Sequence, residues 1–355
     1  MGNIHSYCCP DVSDETEDEQ EEQSRFLSES ASNTQQYGAC EPPKPPSVYK
    51  IVLPKLIPIE IHELHENHET EGPAVIKEEY CSEQFEQLRS LIFKNPDDQS
   101  KFRQLLWSCI PWSAPGGKSG STFLKTRNDQ FILKEMSKLE LQSFLSIANE
   151  YFNYIESSYN DNKLSLLSTI FGIYRIVYTS QPGQTGVEYY FMVMKNLFYK
   201  RNISQRFDLK GSVRNRLTDT SDPENNEHVL MDENLLRIAC DHPLFIHARS
   251  KQILNECIEN DSSFLSKIGV MDYSLLVGVD KENQELVLGI IDYVRPFTWD
   301  KKLERVVKSV VSSELPTILE PRLYRERFCE AMDKYFESVP DDHDAGGAGG
   351  DRLLQ

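Results

Sequence analysis

The segment IGVMDYSLLVGVDKENQELVLGIIDY, residues 268–293, restricts the fold more than any other part of the chain. Two apolar runs, 275–279 and 286–291, flank the polar stretch DKENQE. Short apolar runs divided by a polar turn read as an antiparallel hairpin, here with its turn near residues 281–283. Asp272 stands just before the first run and Asp292 closes the second, so Glu282 is midway between them. A symmetric register sets the two acids side by side at the open end of the ladder, with Cα atoms ~4.5–5.5 Å apart. Neighbouring carboxylates in an apolar frame repel each other and lose hydration, so the pattern calls for a cation between them. Magnesium with phosphate oxygens meets that need, because it takes one or two carboxylates and fills its shell with phosphate. The other reading is that one or both acids cap a turn in solvent.

The charge of the chain, −18 over 355 residues, sits at its ends. Residues 1–80 hold 17 acids and 5 bases, whereas 81–335 hold 34 acids and 32 bases. A nearly neutral middle therefore carries the fold, and the overall acidity says little about what it binds. We expect an acidic disordered segment over 1–50, a linker over 51–82, one domain over 83–340 and a flexible tail over 341–355. No apolar run is long enough to cross a bilayer. Eight cysteines without a C-x-x-C pair point to a reducing compartment rather than a disulfide framework or a zinc site.

Within the domain the periodicity predicts both helices and strands. Helices are expected over 85–93, 102–110, 138–158, 233–241, 244–259 and 322–336, and strands over 121–126, 130–136, 171–178 and 189–194. In the last helix Tyr324, Phe328, Ala331, Met332 and Tyr335 form one apolar stripe.

Two further clusters carry chemistry. Gly116, Gly117, Lys118, Ser119, Gly120 and Ser121 form a glycine-serine loop whose N–H groups suit phosphate. It is not a P-loop, because Trp112 stands where that motif needs glycine. Lys134 follows on a strand among Phe131, Ile132, Leu133 and Met136, and Glu140 opens the next helix as an acid to hold it. Loop, strand lysine and helix acid, in that order, match the ATP-site arrangement of kinases. The other cluster is basic: Lys200, Arg201, Arg206, Lys210, Arg214 and Arg216, with only Asp208 and Asp219 nearby. Such a strip suits a polyanionic substrate or a transferring phosphoryl group. Protein-kinase signatures are missing: Asp272 lacks His-Arg before it, Tyr293-Val294 follows Asp292, and no A-P-E occurs.

G-G-K-S-G-S, F-I-L-K, F-D-L-K-G-S, M-D-Y-S-L-L-V-G and G-I-I-D-Y together resemble the phosphatidylinositol phosphate kinases. DENLL, RPFTWDKKLERVVKS and YRERFCEAMDKYF look most like the PIKfyve-type phosphatidylinositol 3-phosphate 5-kinase branch, over about 83–340. The resemblance implies an α+β fold of two lobes, distantly like protein kinases, built of antiparallel sheets with flanking helices, with ATP between the lobes and Mg2+ as cofactor. It implies that Lys134 binds ATP phosphates under the loop 116–121 and that Asp272 lies near the lipid hydroxyl. Asp292 would bind metal, with Asp272 beside it. Lys210 would neutralise the moving phosphoryl group, with Asp208 bracing it. Past Asp292, Arg295, Trp299, Lys301, Lys302 and Arg305 would read the lipid at the membrane. Lys195 departs from the family, which usually shows Glu there, near the nucleotide hinge.

The expected partner is a phosphoinositide-containing membrane, with no nucleic acid involved. Met1-Gly2-Asn3-Ile4-His5-Ser6 fits the N-myristoylation pattern, and Cys8 and Cys9 are candidates for the palmitate that stable anchoring needs. With no FYVE finger in this sequence, acylation is expected to hold the protein at the cytoplasmic face of an endosomal, vacuolar or plasma membrane.

Overall fold

The computed structural model describes residues 47–54, 60–61, 74–114, 121–178, 186–220, 228–294 and 320–341. Phe131 and Leu133, two apart on one strand, and Phe171 on another are buried against one face of an antiparallel sheet of six strands. In chain order these are β2 (Ala74–Tyr80), β3 (Cys109–Pro111), β4 (Phe123–Thr126), β5 (Phe131–Met136), β6 (Ile170–Tyr178) and β7 (Val187–Lys195). Their spatial order is β2-β6-β7-β5-β4-β3. One face is covered by α1 (Ser82–Ile92), α2 (Asp98–Trp107) and α3 (Lys138–Asn160) through an aromatic core. In that core Phe102 meets Phe131 edge-on at 5.0 Å, and Phe131 meets Phe171 likewise at 5.4 Å.

The second sheet has seven strands, ordered β13-β10-β1-β12-β11-β8-β9. They are β1 (Val48–Val52), β8 (Gln205–Leu209), β9 (Val229–Leu230), β10 (Leu244–His247), β11 (Ser274–Asp280), β12 (Glu285–Ile291) and β13 (Phe336–Val339). It is mixed rather than antiparallel: β1 runs parallel to both β10 and β12, and β10–β13 and β8–β9 are parallel too. Helices α4 (Asp232–Ala239), α5 (Ala248–Lys267) and α6 (Pro321–Tyr335) belong to this half.

Three boundaries differ from the sequence reading. Residues 48–52, expected at the end of the disordered segment and the start of the linker, and residues 74–80, expected in the linker, are strands of the two sheets. The helix expected from 244 starts at Ala248, because Leu244 and Ile246 alternate as buried residues of β10. It then runs on to Lys267, through a polar stretch whose Asp261 and Ser262 are fully buried.

Two passages of chain join the sheets. In the first, Ile290 N–H donates to Leu166 O at 2.6 Å and Ser168 N–H donates to Ile290 O at 2.9 Å, so residues 166–168 lie along β12. In the second, Leu197 and Phe198 rest directly on the hairpin. A Cβ at Gly289 would stand 2.6 Å from Leu197, and one at Gly278 would strike the Phe198 ring, so both positions need bare backbone.

Asp261 fastens the first passage. Its carboxylate accepts from Leu166 N–H at 2.5 Å, Tyr154 Oη at 2.6 Å and Ser165 Oγ at 2.9 Å. Burial pushes its pKa up from 3.8 to about 6, against the lowering effect of those donors. The folded state therefore holds this proton more tightly than the unfolded chain does. Its stabilising effect is complete below pH ~4 and is lost as pH rises through about 6. We expect urea midpoints of the wild type to fall between pH 4 and 6 relative to those of Asp261→Asn, which cannot titrate; parallel curves would contradict this.

Candidate active site

A cavity of about 890 Å³ lies between the two sheets, and Lys134, Lys195, Asp208, Lys210 and Asp292 line it. Strand pairing explains how Lys134 comes to face it. On β5, Ile132 and Lys134 share one side, opposite to the core-facing Phe131 and Leu133. Lys134 is only 5 % exposed, and its Nζ is 2.5 Å from Asp292 Oδ1. Burying an ammonium without a partner is costly, and Asp292 supplies the anion from the far sheet.

The β11–β12 ladder runs from Ser274↔Ile291 to Asp280↔Glu285, so its centre falls between Glu282 and Asn283 rather than on Glu282. Asp272 and Asp292 both follow the open end of that ladder, one register step out of direct opposition. Both have left-handed backbones, with φ of 67° and 62°. Few aspartates adopt that conformation, and it persists only where the surroundings enforce it. Here the enforcing neighbours are buried: Met271 and Tyr273 beside one acid, Tyr293 and Val294 beside the other. The Tyr324 hydroxyl donates to Tyr273 O and the Tyr293 hydroxyl to Ser168 O, which fixes each bend. The aspartate side chains remain 40 % and 41 % exposed.

Lys210 Nζ donates to Asp272 Oδ1 at 2.8 Å and to Asp272 O at 2.9 Å. The site thus contains two lysine–aspartate pairs, one to each acid of the hairpin. Two bracing roles differ from the sequence reading. The acid that meets Lys134 is Asp292. Glu140, two turns of sequence away, instead accepts from Ser137 N–H at 2.8 Å and caps α3. Asp208 Oδ1 accepts from Arg216 Nη2 at 2.6 Å, so it braces Arg216 rather than Lys210.

Asp232, at the start of α4, went unrecognised in the sequence. Fully buried, it accepts from Gly211 N–H at 2.8 Å, Arg216 Nε at 2.9 Å, Tyr335 Oη at 3.0 Å and Lys210 N–H at 3.1 Å. The D-L-K-G-S bend therefore wraps one carboxylate, and Lys210 is aimed by it. The only signal in the sequence was an acid at the N-terminal turn of DENLL. Arg216, Arg201 and Arg206 are likewise engaged, by Asp208 and Asp232, by Glu285, and by the Phe198 ring. Less of the basic strip is available to a ligand than its composition implied.

Lys195 ends β7 at the cavity wall, where burial and then the Arg201 charge lower its pKa. Ser121 precedes β4, whose Phe123 pairs with Lys134 across the ladder, so the glycine-serine loop joins the sheet next to that lysine. Gly116, Gly117, Lys118, Ser119 and Gly120 themselves lie outside the described residues, as do Arg295, Trp299, Lys301, Lys302, Arg305, Gly2, Cys8 and Cys9.

The Phosphatidylinositol-4-phosphate 5-Kinase family model matches residues 112–286 and 280–335. The chain belongs to this kinase family. It is 49 % identical over 268 residues, 74 % of its length, to the human 1-phosphatidylinositol 3-phosphate 5-kinase, and spans 13 % of that protein. Similarity to the enzyme of that name from Saccharomyces cerevisiae is 40 % over 271 residues, covering 74 % of this chain and 12 % of the relative. With the Arabidopsis thaliana 1-phosphatidylinositol-3-phosphate 5-kinase FAB1A it is 40 % over 267 residues, covering 74 % and 15 %. The chain therefore corresponds to a small part of each of these relatives.

In this family member Asp232 is expected to matter for stability as much as for the site. Asp232→Ala leaves the Arg216 guanidinium without its buried partner and should cost ~3–5 kcal/mol, read as a lower denaturant midpoint. A loss below about 1 kcal/mol, the usual worth of an exposed ion pair, would contradict the hub described above.

Proposed function

We propose that the protein is a lipid kinase that moves the γ-phosphoryl group of ATP to the 5-hydroxyl of phosphatidylinositol 3-phosphate, giving the 3,5-bisphosphate. The observation that carries this reading is the pair of lysine–aspartate contacts, Lys134–Asp292 and Lys210–Asp272, at the wall and mouth of one cavity. Choice of the 3-phosphate lipid rests on the names of the curated relatives.

In the proposed reaction the lipid hydroxyl oxygen attacks the γ-phosphorus and the bond to the bridging β–γ oxygen breaks, leaving ADP. Asp272 takes the hydroxyl proton, and Lys210, already against it, offsets charge on the moving phosphoryl oxygens. Lys134 binds the phosphates that remain with the nucleotide. The sheets act as two lobes, in the manner of a distant protein-kinase relative, with the nucleotide between them. Magnesium fits this donor set: two half-exposed carboxylates suit an ion that arrives with phosphate ligands. Among the described residues no group of three or more His, Cys, Asp or Glu forms a self-sufficient metal site. Magnesium would be held by Asp292 and Asp272 and would supply charge neutralisation.

The location we propose is the cytoplasmic face of a membrane, supported by the lipid acceptor and by the acylation pattern at Gly2, Cys8 and Cys9. No helix among the described residues is long and apolar enough to cross a membrane. On this reading Gly2→Ala moves the protein into the soluble fraction; unchanged fractionation would remove the acylation proposal.

Incubation with labelled ATP, magnesium and vesicles of each phosphatidylinositol monophosphate tests the activity. Label should enter the 3-phosphate lipid at position 5, and Asp272→Asn should lower turnover by ~10²–10⁴-fold. Label entering the 4- or 5-phosphate lipid would reassign the acceptor. Lipid binding without label would identify a phosphoinositide-binding scaffold.

A further inference from the structure

Three exposed aliphatic residues lie close in sequence to Lys210, Arg216 and Met231 of the cavity wall. Val213, Leu217 and Leu236 are 51 %, 41 % and 41 % exposed, although all three belong to ordered segments of the larger sheet's half. Hydrogen bonds gather them into one patch. Glu233 N–H donates to Arg216 O at 3.0 Å, Thr218 N–H donates to Asn234 Oδ1 at 2.8 Å, and Asn234 Nδ2 returns a bond to Thr218 O at 2.9 Å. Leu217 is thereby set against the first turn of α4, and Leu236 lies three residues beyond Glu233 on the same face. Val213 opens the turn that Arg216 N–H closes onto its carbonyl, and Asn215 holds the tip of that turn with a φ of 55°.

Single exposed aliphatics are ordinary on protein surfaces, but a cluster rimming a cavity marks a contact surface. Its location selects the occupant. If the acceptor hydroxyl reaches Lys210 and Asp272, it does so from the headgroup layer, which is only about 5–8 Å deep in each leaflet. Val213 is three residues from Lys210, a reach of at most ~10 Å along the chain. Arg216 and Met231, both in the cavity wall, adjoin Leu217 and the start of α4. A bilayer that presents its lipid to the site must therefore lie against these side chains. Arg214, exposed beside Val213, adds a cation that favours an anionic surface, while Arg237 is paired with Glu233.

We propose that Val213, Leu217 and Leu236 enter the headgroup–acyl boundary of a phosphoinositide-containing membrane and seat the cavity mouth on it. The inference rests on the lipid-kinase reading and extends it, since it assigns the docking surface to residues before and on α4. Asp232 gives the contact its consequence. It binds the N–H groups of Lys210, Gly211 and Ser212, directly before Val213, so the anchor and the catalytic lysine are two ends of one braced bend. Seating the bend positions Lys210 over the lipid.

The test compares the wild type with a Val213→Ser, Leu217→Ser, Leu236→Ser variant. One measurement is sedimentation with vesicles of phosphatidylcholine, phosphatidylserine and phosphatidylinositol 3-phosphate. The other is turnover of that lipid in the vesicles and as a soluble short-chain analogue. Vesicle affinity and vesicle turnover should both fall about tenfold or more, with turnover of the short-chain lipid within about twofold of wild type. Unchanged vesicle affinity would overturn the proposal, as would equal losses on both substrates, which would place the residues in the reaction itself. A wild-type dimer that the variant dissolves, without change in vesicle affinity, would assign the patch to self-association and overturn it too. A wild type that phosphorylates neither form of lipid would refute the lipid-kinase reading, while the sedimentation result still decides the membrane contact. If the triple variant does not fold, Leu217→Trp replaces it: its added emission should shift to the blue on vesicles, and no shift would overturn the proposal.

Discussion

The ion pair between Lys134 and Asp292 spans the cavity from one sheet to the other, and the rest of the site is arranged around it. Lys134 is buried on an apolar strand, where an unpaired ammonium would be costly, and Asp292 is its partner. Asp292, the more exposed partner, approaches from the end of β12 with a left-handed backbone. Such a pair closes a gap between two sheets that are otherwise joined by the passages at 166–168 and 197–198. It is also a contact that phosphate can enter, because the lysine needs an anion and not this one in particular. The second pair, Lys210–Asp272, repeats the arrangement at the mouth, where Asp232 holds the lysine's backbone in place.

Much of the architecture was legible where periodicity is strong. The β11–β12 hairpin, β5 with its lysine, α3 and the aromatic stripe of α6 all follow from local pattern. The mixed character of the second sheet did not. The parallel strand β1 is short and pairs with two strands nearly 200 residues or more away in sequence. A stretch flanked by prolines and acids at 51–60 therefore read as a linker. The length of α5 was hidden for another reason: Asp261 and Ser262 are polar yet buried, so the helix carries on where hydropathy predicts its end.

The site shows the same division. Lys134, Lys210, Asp272 and Asp292, chosen from their order and neighbours, gather around the cavity. The acids assigned to brace the lysines were those nearest in sequence, and tertiary structure made different pairs. Glu140 lies close to Lys134 along the chain, but the first turn of its own helix uses its carboxylate. Asp232, twenty-two residues from Lys210, does the bracing because a buried carboxylate with several donors outweighs a nearer one in solvent. The half-step in hairpin register is invisible in sequence for a similar reason. Asp280 accepts from both Asn283 N–H and its side-chain amide, and that turn chemistry, not symmetry, sets the ladder.

On the proposed reading, Asp292 is the acid through which magnesium would join the nucleotide to this site. Titration calorimetry with ATP, in the presence and absence of magnesium, measures it on the wild type and on Asp292→Asn. The account predicts that magnesium tightens ATP binding to the wild type by about tenfold or more and has little effect on the variant. An equal magnesium-dependent gain in both proteins would contradict it.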